Sequence, residues 1–148
     1  MKCGKCGRGM LERTTIRHEV SIGGMRFVGE IPGHKCGACK DGEITLDDLI
    51  KFEHAVARHL AMHGPVSGAT LRYMRKSIPL SAVALAELLH VVPETVSRWE
   101  NGERLDPPRP VDRAAWLVVR DLLLDPKARQ AIEGLDAVPS AEPIAIAV

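Results

Sequence analysis

The sequence predicts two small domains, an α+β N-terminal domain and an all-α C-terminal domain. Two Cys-x-x-Cys pairs enclose a stretch in which β-branched and polar residues alternate, a pattern typical of antiparallel strands. Beyond the glycines and prolines near residue 65, every apolar pattern has helical spacing. We therefore predict domains at residues 1–64 and 69–137, a linker at 65–68 and a flexible tail at 138–148.

The composition limits the kind of protein this can be. The chain has 148 residues, of which 45% are hydrophobic, and a net charge of +1. No apolar run approaches the roughly 20 residues of a membrane helix, and no apolar signal core follows the first lysines. We expect a cytoplasmic protein with no membrane partner. A small net charge argues against tight non-specific binding to nucleic acid, but local basic groups can still contact phosphates.

The four cysteines form two pairs, Cys3 with Cys6 and Cys36 with Cys39. A two-residue gap lets one tight turn aim two thiolates at one ion, and two such turns complete a tetrahedron. The pairs therefore predict one structural zinc ion per chain. Disulfides do not suit a reducing cytosol, a redox pair belongs at a strand-to-helix junction, and a catalytic zinc keeps one position open.

Basic residues cluster around these cysteines, and two interpretations of them stay open. Residues 1–40 hold eight Lys and Arg against three Glu, a local charge of +5. Four thiolates and a divalent ion leave a charge of about −2, which nearby cations would compensate. The other interpretation is a nucleic-acid patch. The basic residues closest in sequence are Lys2, Lys5, Arg8, Lys35 and Lys40.

Short strands are predicted between the two cysteine pairs. Residues 13–20 have the alternating pattern, two glycines at 23–24 mark a turn, and residues 25–28 resume the apolar signal. Gly29 and Pro32 should then interrupt the chain. The pattern predicts a hairpin or three short strands beside the metal.

One helix completes the N-terminal domain. Thr45 begins a capping box with Asp48, and a Gly-Pro pair at 64–65 ends the helical pattern, so we predict a helix over 46–63. Its apolar stripe consists of Leu49, Phe52, Val56 and Leu60. His59 and His63 lie four residues apart and could hold a metal. No acidic partner accompanies them, so we interpret them as solvated side chains.

Two further helices are predicted at 82–89 and 93–100, joined by a three-residue turn. Ser81 can cap the first, and Pro93 suits the first position of the second. Helices this short are not stable alone and must pack steeply on an apolar base. That base would comprise Leu71, Met74 and Leu80. The spacing predicts a helix-turn-helix with 93–100 as its recognition helix, and a generic helical bundle is the alternative.

Polar residues of the recognition helix are the candidates for DNA contacts. Arg98 can bond guanine in bidentate fashion. Glu94 could accept from a cytosine amino group or only repel phosphates, and Thr95 shares their base-facing side. The candidates for backbone phosphates are Ser97, Asn101 and Arg104.

A proline-rich connector at 106–110 precedes a predicted helix at 111–124 and a last helix from Asp125 to about Leu135. A helix-turn-helix of this size reads one half-site, so a homodimer is expected. The helix at 111–124 has a broad apolar surface that would form the dimer interface or cover the core of its own domain. This surface comprises Trp116, Leu117, Val119, Leu123 and Leu124.

The helical region resembles the Cro/CI-type (XRE), lambda-repressor-like helix-turn-helix family. The likeness is carried by LS at 80–81, LAELL at 85–89 and TVSRWENG at 95–102. Ala82 and His90 depart from the Gln and Gly that the family favours. The resemblance implies a buried ion pair between Arg75 and Glu100, although Arg75 could instead contact DNA.

The chain up to about residue 135 resembles the MqsA family of antitoxins, in which a YgiT-type zinc finger precedes such a helix-turn-helix. Both cysteine pairs, their separation and the SRWENG segment carry this likeness. It implies a non-enzymatic, DNA-binding antitoxin of a type II toxin–antitoxin system. The zinc domain would neutralise a ribonuclease toxin, and the dimer would act as a repressor of its own operon on a palindromic operator.

The same resemblance places a base-reading Arg at Arg98 and puts Glu94 where the family has a base-reading Asn, so the operator sequence should differ. The alternative is a stand-alone zinc-containing transcription regulator without a toxin partner. A zinc-dependent enzyme ranks lowest, because the metal site is closed and the sequence has no constellation of nucleophile and base.

Overall fold

The computed structural model describes residues 1–147, apart from the side chain of Glu103. A three-stranded antiparallel sheet is followed by helices, which agrees with the predicted order of an α+β part and a helical part. The strands are β1 (Leu11–Ile22), β2 (Met25–Cys36) and β3 (Gly42–Ile44). The helices are α1 (Leu46–His63), α2 (Gly68–Ser77), α3 (Ala82–Leu89), α4 (Pro93–Asn101), α5 (Arg113–Leu124) and α6 (Ala128–Glu133).

The hairpin is longer and more continuous than the sequence pattern suggested. β1 and β2 pair along all twelve residues of each, from Leu11 opposite Cys36 to Ile22 opposite Met25. Gly23 and Gly24 have φ of 55° and 80°, so the two-residue turn has the left-handed backbone that only glycine adopts easily.

The predicted interruption of β2 at Gly29 and Pro32 is wrong. β3 pairs only with residues 33–35, so Pro32 lies where β2 has a single neighbouring strand and its missing N–H breaks no second ladder. At Gly29 the ring of Phe52 from α1 lies against the strand, since a Cβ there would be 2.6 Å from Phe52 Cε2. The glycine marks a close approach between helix and strand rather than a break.

Helix α1 has the predicted bounds and caps. Thr45 accepts a hydrogen bond from the backbone N–H of Asp48 at 3.2 Å, and its hydroxyl donates to the Asp48 carboxylate at 2.8 Å. Gly64 ends the helix at φ 68° and donates its N–H to the carbonyl of Leu60 at 2.7 Å. Val56 and Leu60 are buried, so the predicted stripe faces the core.

A single hydrophobic core joins the sheet half to the helical half. Ile22 from β1 and Leu60 from α1 belong to the same buried cluster as Leu71, Leu85 and Val119 from the later helices. α1 packs against both α2 and α5. The two predicted domains are therefore packed together through apolar contacts.

The predicted linker is short and held at both ends. α2 begins at Gly68, the last residue of the predicted linker, because Ser67 and Thr70 form a capping box. The buried Thr70 hydroxyl donates to the Pro65 carbonyl at 2.7 Å and accepts from the Trp116 indole at 3.1 Å. This places a polar network between segment 65–68 and α5.

The last helices differ slightly from the prediction. α5 begins at Arg113 instead of residue 111, because the Asp112 carboxylate accepts from the Ala115 N–H at 3.0 Å and caps the helix. α6 begins at Ala128 and is followed by a short 3₁₀ turn, Gly134–Asp136. In the predicted tail, residues 138–147 form neither helix nor strand, and Val148 lies outside the described residues. Within residues 1–147, no helix combines the length and apolar character needed to cross a membrane.

Candidate metal centre and nucleic-acid interface

The hairpin brings the two cysteine pairs together. Cys3 and Cys6 precede β1, while Cys36 ends β2 and Cys39 follows it. The two loops have the same conformation, since Gly7 N–H donates to Cys3 O at 2.9 Å and Lys40 N–H donates to Cys36 O at 3.0 Å. Gly7 and Lys40 both have left-handed backbones, with φ of 65° and 62°. Each pair thus forms the tight turn that its spacing predicts.

The four sulfur atoms are positioned to bind a metal ion. Cys3 Sγ lies 3.8 Å from Cys39 Sγ, and Cys6 Sγ lies 3.7 Å from Cys36 Sγ. All four lie within 4.8 Å of one another. An ion bound tetrahedrally at about 2.3 Å from each sulfur would hold its ligands about 3.8 Å apart. The separations exceed the roughly 2.05 Å of a disulfide, and all four cysteines are free.

Backbone N–H groups point at the sulfurs and stabilise thiolate. Hydrogen bonding from the backbone of Gly9 and Arg8 lowers the pKa of Cys6 to about 6. The backbone N–H groups of Cys39 and Ala38 lower the pKa of Cys36 in the same way. The N–H of Asp41 acts similarly on Cys39, but burial and the neighbouring thiols outweigh it and raise the pKa of Cys39 to about 11. These backbone hydrogen bonds therefore favour the thiolate forms of Cys6 and Cys36.

Gly9 is a residue of the metal centre that sequence reasoning missed. Its carbonyl accepts from the N–H of Cys3 at 2.8 Å. A Cβ at this position would collide with Cys36 Sγ and would lie 2.9 Å from Ala38 Cβ. The signal in the sequence was a second glycine two residues beyond Gly7, which only the opposite loop explains.

Two interpretations of the basic residues near the cysteines are compensation of the charge of the metal centre and a nucleic-acid patch. The structure bears on the first of these. Lys5 Nζ forms an ion pair with Asp41 at 2.8 Å, joining the first cysteine loop to the second. The hydrogen bond and charge of Asp41 raise the pKa of Lys5. This lysine therefore has a contact within the metal centre.

His59 and His63 of α1 are exposed. The ring centres of His59 and His63 lie 4.6 Å apart. Among residues 1–147, the four cysteines are the only group of three or more His, Cys, Asp or Glu that could hold a metal ion. The histidine pair has no third ligand of these types in that range.

Helices α3 and α4 match the bounds predicted for the two short helices to within one residue. Ser81 accepts from the Ala84 N–H at 3.0 Å and caps α3. His90 ends α3 in the left-handed conformation, with φ 54° and ψ 43°, where the resembled family favours glycine. Val96 and Ala86 are buried between the helices.

The ion pair implied between Arg75 and Glu100 is confirmed. Arg75 Nη2 lies 2.6 Å from Glu100 Oε1, and Arg75 Nε lies 3.0 Å from Glu100 Oε2. The two side chains are only 10% and 5% exposed. Arg75 Nη1 also donates to the Leu80 carbonyl at 2.8 Å. This network ties α2 to the end of α4 and leaves Arg75 in a structural position.

The structure brings half of the candidate DNA contacts onto one stripe of α4. Glu94 and Arg98 are exposed and Asn101 is half-buried, and their spacing of four and three residues puts them on one face. Thr95 is half-buried and Ser97 exposed on the two flanks of this face, while Asn101 Nδ2 donates to the Ser97 carbonyl at 2.9 Å. Arg104 is exposed in the 3₁₀ turn Gly102–Arg104 that follows.

No protein-family model matches this chain, and no curated protein is similar to it. What can be said of its class therefore depends on the sheet, the cysteine cluster and the helices themselves.

Proposed function

We propose that this chain is a zinc-containing, DNA-binding antitoxin of a type II toxin–antitoxin system. The observation that carries the proposal is the exposed stripe of Glu94, Arg98 and Asn101 on α4, in a chain that also has a closed four-cysteine centre. The Arg75–Glu100 ion pair holds this helix in place from behind. A rigid helix with an outward polar face is what reading a major groove requires.

Zinc is the ion that best suits the cysteine centre. Four thiolates in a tetrahedron favour zinc or iron, and zinc holds such a site without redox chemistry. The four sulfurs leave no open position for a substrate, so we assign the ion a structural role and no catalytic one. Metal analysis of protein purified without chelator should find one zinc per chain. Finding neither zinc nor iron would contradict the assignment.

Sequence-specific DNA binding is assigned to α4. A bidentate bond from Arg98 to a guanine is worth about 1–3 kcal/mol of discrimination, which is roughly a 5- to 150-fold change in affinity. Arg98→Ala should therefore remove discrimination between the operator upstream of the gene and a scrambled duplex. Arg58→Ala on α1, an exposed arginine away from α4, is the matched control. Equal operator affinity in the two variants would refute the role of Arg98.

A homodimer on a palindromic operator follows from the size of the helix-turn-helix. On α5, Trp116 and Val119 are buried in the core of the chain, whereas Leu117 is 47% exposed. Trp116 and Val119 therefore cover the core of their own chain, and the exposure of Leu117 supports our proposal that it contacts a second copy. Sedimentation should give a dimer for the natural chain and a monomer for Leu117→Glu with unchanged helical content.

The metal-bound hairpin is proposed to bind the toxin. β1 is a twelve-residue edge strand, and no strand within residues 1–147 covers its outer side. Its start is covered, because the Leu11 N–H donates to the Met1 carbonyl at 3.0 Å, and the edge beyond Leu11 can accept a strand from a partner. Co-expression with the product of the adjacent gene should rescue growth if that product is a toxin, and the two should purify together. Growth arrest without rescue would contradict the antitoxin role.

A stand-alone zinc-containing transcription regulator is the second candidate. The shared core favours it, because α1 beside the metal-bound hairpin packs directly on α2 and α5. Metal binding could then alter the helices that contact DNA. Operator affinity that changes over the physiological range of free zinc, in a chain whose neighbouring gene product is harmless, would support the regulator instead of the antitoxin.

A further inference from the structure

A cavity of about 380 Å³ lies where the tip of the hairpin meets the helices. Ser21 and Gly23 line it from the hairpin, and Arg72 and Lys76 line it from α2. Asn101 and Arg104 close it at the end of α4. The cavity therefore lies at the junction of the two predicted domains.

The lining carries excess positive charge. None of Arg72, Lys76 and Arg104 forms an ion pair in the part of the chain that the structure describes. The carboxylate among the lining residues belongs to Glu100, and Arg75 already binds it at 2.6 Å. Among the described side chains, the cavity thus offers three cations that have no ion-pair partner.

The walls of the cavity are held by packing. Ile22 is buried in the core, so the hairpin tip is anchored beside it. A Cβ at Gly23 would lie 3.6 Å from Ala69 Cβ, which places the turn directly against α2. Tyr73, also in the lining, donates its hydroxyl to the Glu53 carbonyl at 3.4 Å. The backbone around the cavity is therefore in place before a ligand binds, and the ordering that remains is that of the exposed cationic side chains.

We propose that this junction cavity binds a phosphate group. Arginine and lysine are the side chains that hold phosphate best, and the Ser21 hydroxyl and Asn101 amide add neutral donors. The volume falls in the range of small-ligand sites and exceeds the space needed by a bare phosphate ion. A phosphate ester of nucleotide size fits it, as does a phosphate of a DNA backbone beside α4. The inference goes beyond the proposed function, since it does not require Arg98 to read a base.

Tyr73 provides a direct probe, because it is the one tyrosine of the chain and lines the cavity. The full zinc-loaded chain labelled with 3-fluorotyrosine should give a single fluorine resonance. Titration with adenosine monophosphate should shift this resonance with saturation, and inorganic phosphate should do so more weakly. In the double variant Arg72→Gln/Lys76→Gln, we expect the midpoint to rise at least tenfold. The control Arg58→Gln/Lys127→Gln removes the same charge elsewhere and should behave like the natural chain.

DNA supplies the second arm of the test. If the occupant is a backbone phosphate, the Arg72→Gln/Lys76→Gln variant should bind operator DNA with a salt dependence weaker by about two phosphate contacts. The Arg58→Gln/Lys127→Gln control should keep the full slope. If adenosine monophosphate shifts the resonance of the natural chain but not that of the Arg72→Gln/Lys76→Gln variant, the occupant is a free phosphate ester. If the variant only reduces the salt dependence of operator binding and the nucleotide causes no shift, the occupant is a DNA phosphate.

The inference is overturned if the nucleotide leaves the resonance unmoved and the slope is unchanged. Arg104→Gln, a single change at the other side of the cavity, checks that neither result comes from a folding defect of the double variant. Loss of operator binding in Arg98→Ala with no effect of the cavity variants would leave the proposed function standing and this inference refuted. If the nucleotide shifts the resonance but the chain binds no operator DNA, the inference stands and the proposed function is refuted.

Discussion

Individual residues act here mainly through close contacts that allow no substitute. Gly9 leaves room for the sulfur of Cys36, and its carbonyl accepts from the Cys3 N–H. Arg75 and Glu100 are buried charges that form an ion pair with each other and are largely shielded from solvent. In both cases the residue matters because an atom from a distant part of the chain lies against it.

Gly9→Ala should weaken metal binding, because the added methyl group must push Cys36 Sγ out of the tetrahedron. Disturbing the surroundings of metal ligands typically costs 10- to 100-fold in affinity, and we expect about that loss. Competition with a chromophoric chelator measures it. Gly4→Ala is the matched control, since a Cβ at Gly4 would meet nothing within 4 Å. Equal metal affinity in the two variants would contradict the packing argument.

Glu100→Ala should lower the free energy of unfolding by about 3–5 kcal/mol, because it leaves the buried Arg75 guanidinium without its counter-charge. Urea unfolding followed by circular dichroism measures the change. The exposed pair of Arg129 and Glu133 provides the control, and Glu133→Ala should cost at most about 1 kcal/mol. A similar small effect for both variants would mean that the buried pair contributes little.

At the scale of the elements, helix α1 is the part that connects the sheet to the rest. Its N-terminal half places Phe52 against Gly29 of β2, and its C-terminal half places Leu60 in the core shared with α2 and α5. The hairpin in turn carries the cysteine loops at one end and the cavity wall at the other. The position of α1 thus determines how the metal centre sits relative to α4.

Gly29→Ala should destabilise the packing of α1 on the sheet, because its Cβ would be 2.6 Å from Phe52 Cε2. Overpacking of this kind costs about 1–3 kcal/mol, and the hairpin and helix should move apart. Thermal unfolding monitored at the helix signal gives the loss. Gly134→Ala, where a Cβ meets nothing within 4 Å, should leave the midpoint almost unchanged. Adding Phe52→Leu should restore part of the stability of Gly29→Ala if the ring is the obstacle.

For the whole molecule, the decisive feature is that one core spans both predicted domains. Ile22 and Leu60 share it with Leu71, Leu85 and Val119. Polar contacts reinforce the junction, since Trp116 donates to Thr70 beside the short segment that joins α1 to α2. A change at the metal centre should therefore alter the stability of the helices that follow.

Removing the metal with a chelator should lower the unfolding temperature of the entire chain in one transition. Binding energies of structural zinc sites reach about 10–16 kcal/mol and act as folding energy. Loss of the ion therefore directly lowers the stability of the hairpin that carries the cysteines. Because the hairpin contributes Ile22 to the common core, the helices should lose stability with it. Calorimetry with and without chelator tests this. An unchanged second transition from the helices would contradict the coupling.

Much of the local structure was predictable because its causes are local. Cysteine spacing predicted the metal loops, the caps at Thr45 and Ser81 predicted where helices begin, and Gly64 predicted where α1 ends. The pair of glycines at 23–24 predicted the hairpin turn. Each of these signals acts within a few residues, so no knowledge of the fold was needed to interpret them.

The errors at three glycines share one physical cause, which is contact between residues distant in sequence, whereas the start of α5 was misplaced although its cap at Asp112 is local. Gly29 was taken for a break, whereas Phe52 of α1 accounts for it, and Gly68 was assigned to a linker although it begins α2 and lies against the backbone of α4. Gly9 went unnoticed because the atom it accommodates belongs to the second cysteine loop. A glycine in a sequence shows that space or backbone freedom is needed, but not which of the two.

By itself the sequence predicted short strands between the cysteine pairs, the helices other than α2, the four cysteines positioned to bind a metal and the helix that carries the candidate DNA contacts, but it did not predict β3. Only the tertiary structure decided that the two halves share a core and that Arg72, Lys76 and Arg104 converge on one cavity. The first set follows from spacing, caps and turns, which act over a few residues. The second depends on how helices and hairpin pack, and packing energy is summed over side chains that the sequence keeps far apart.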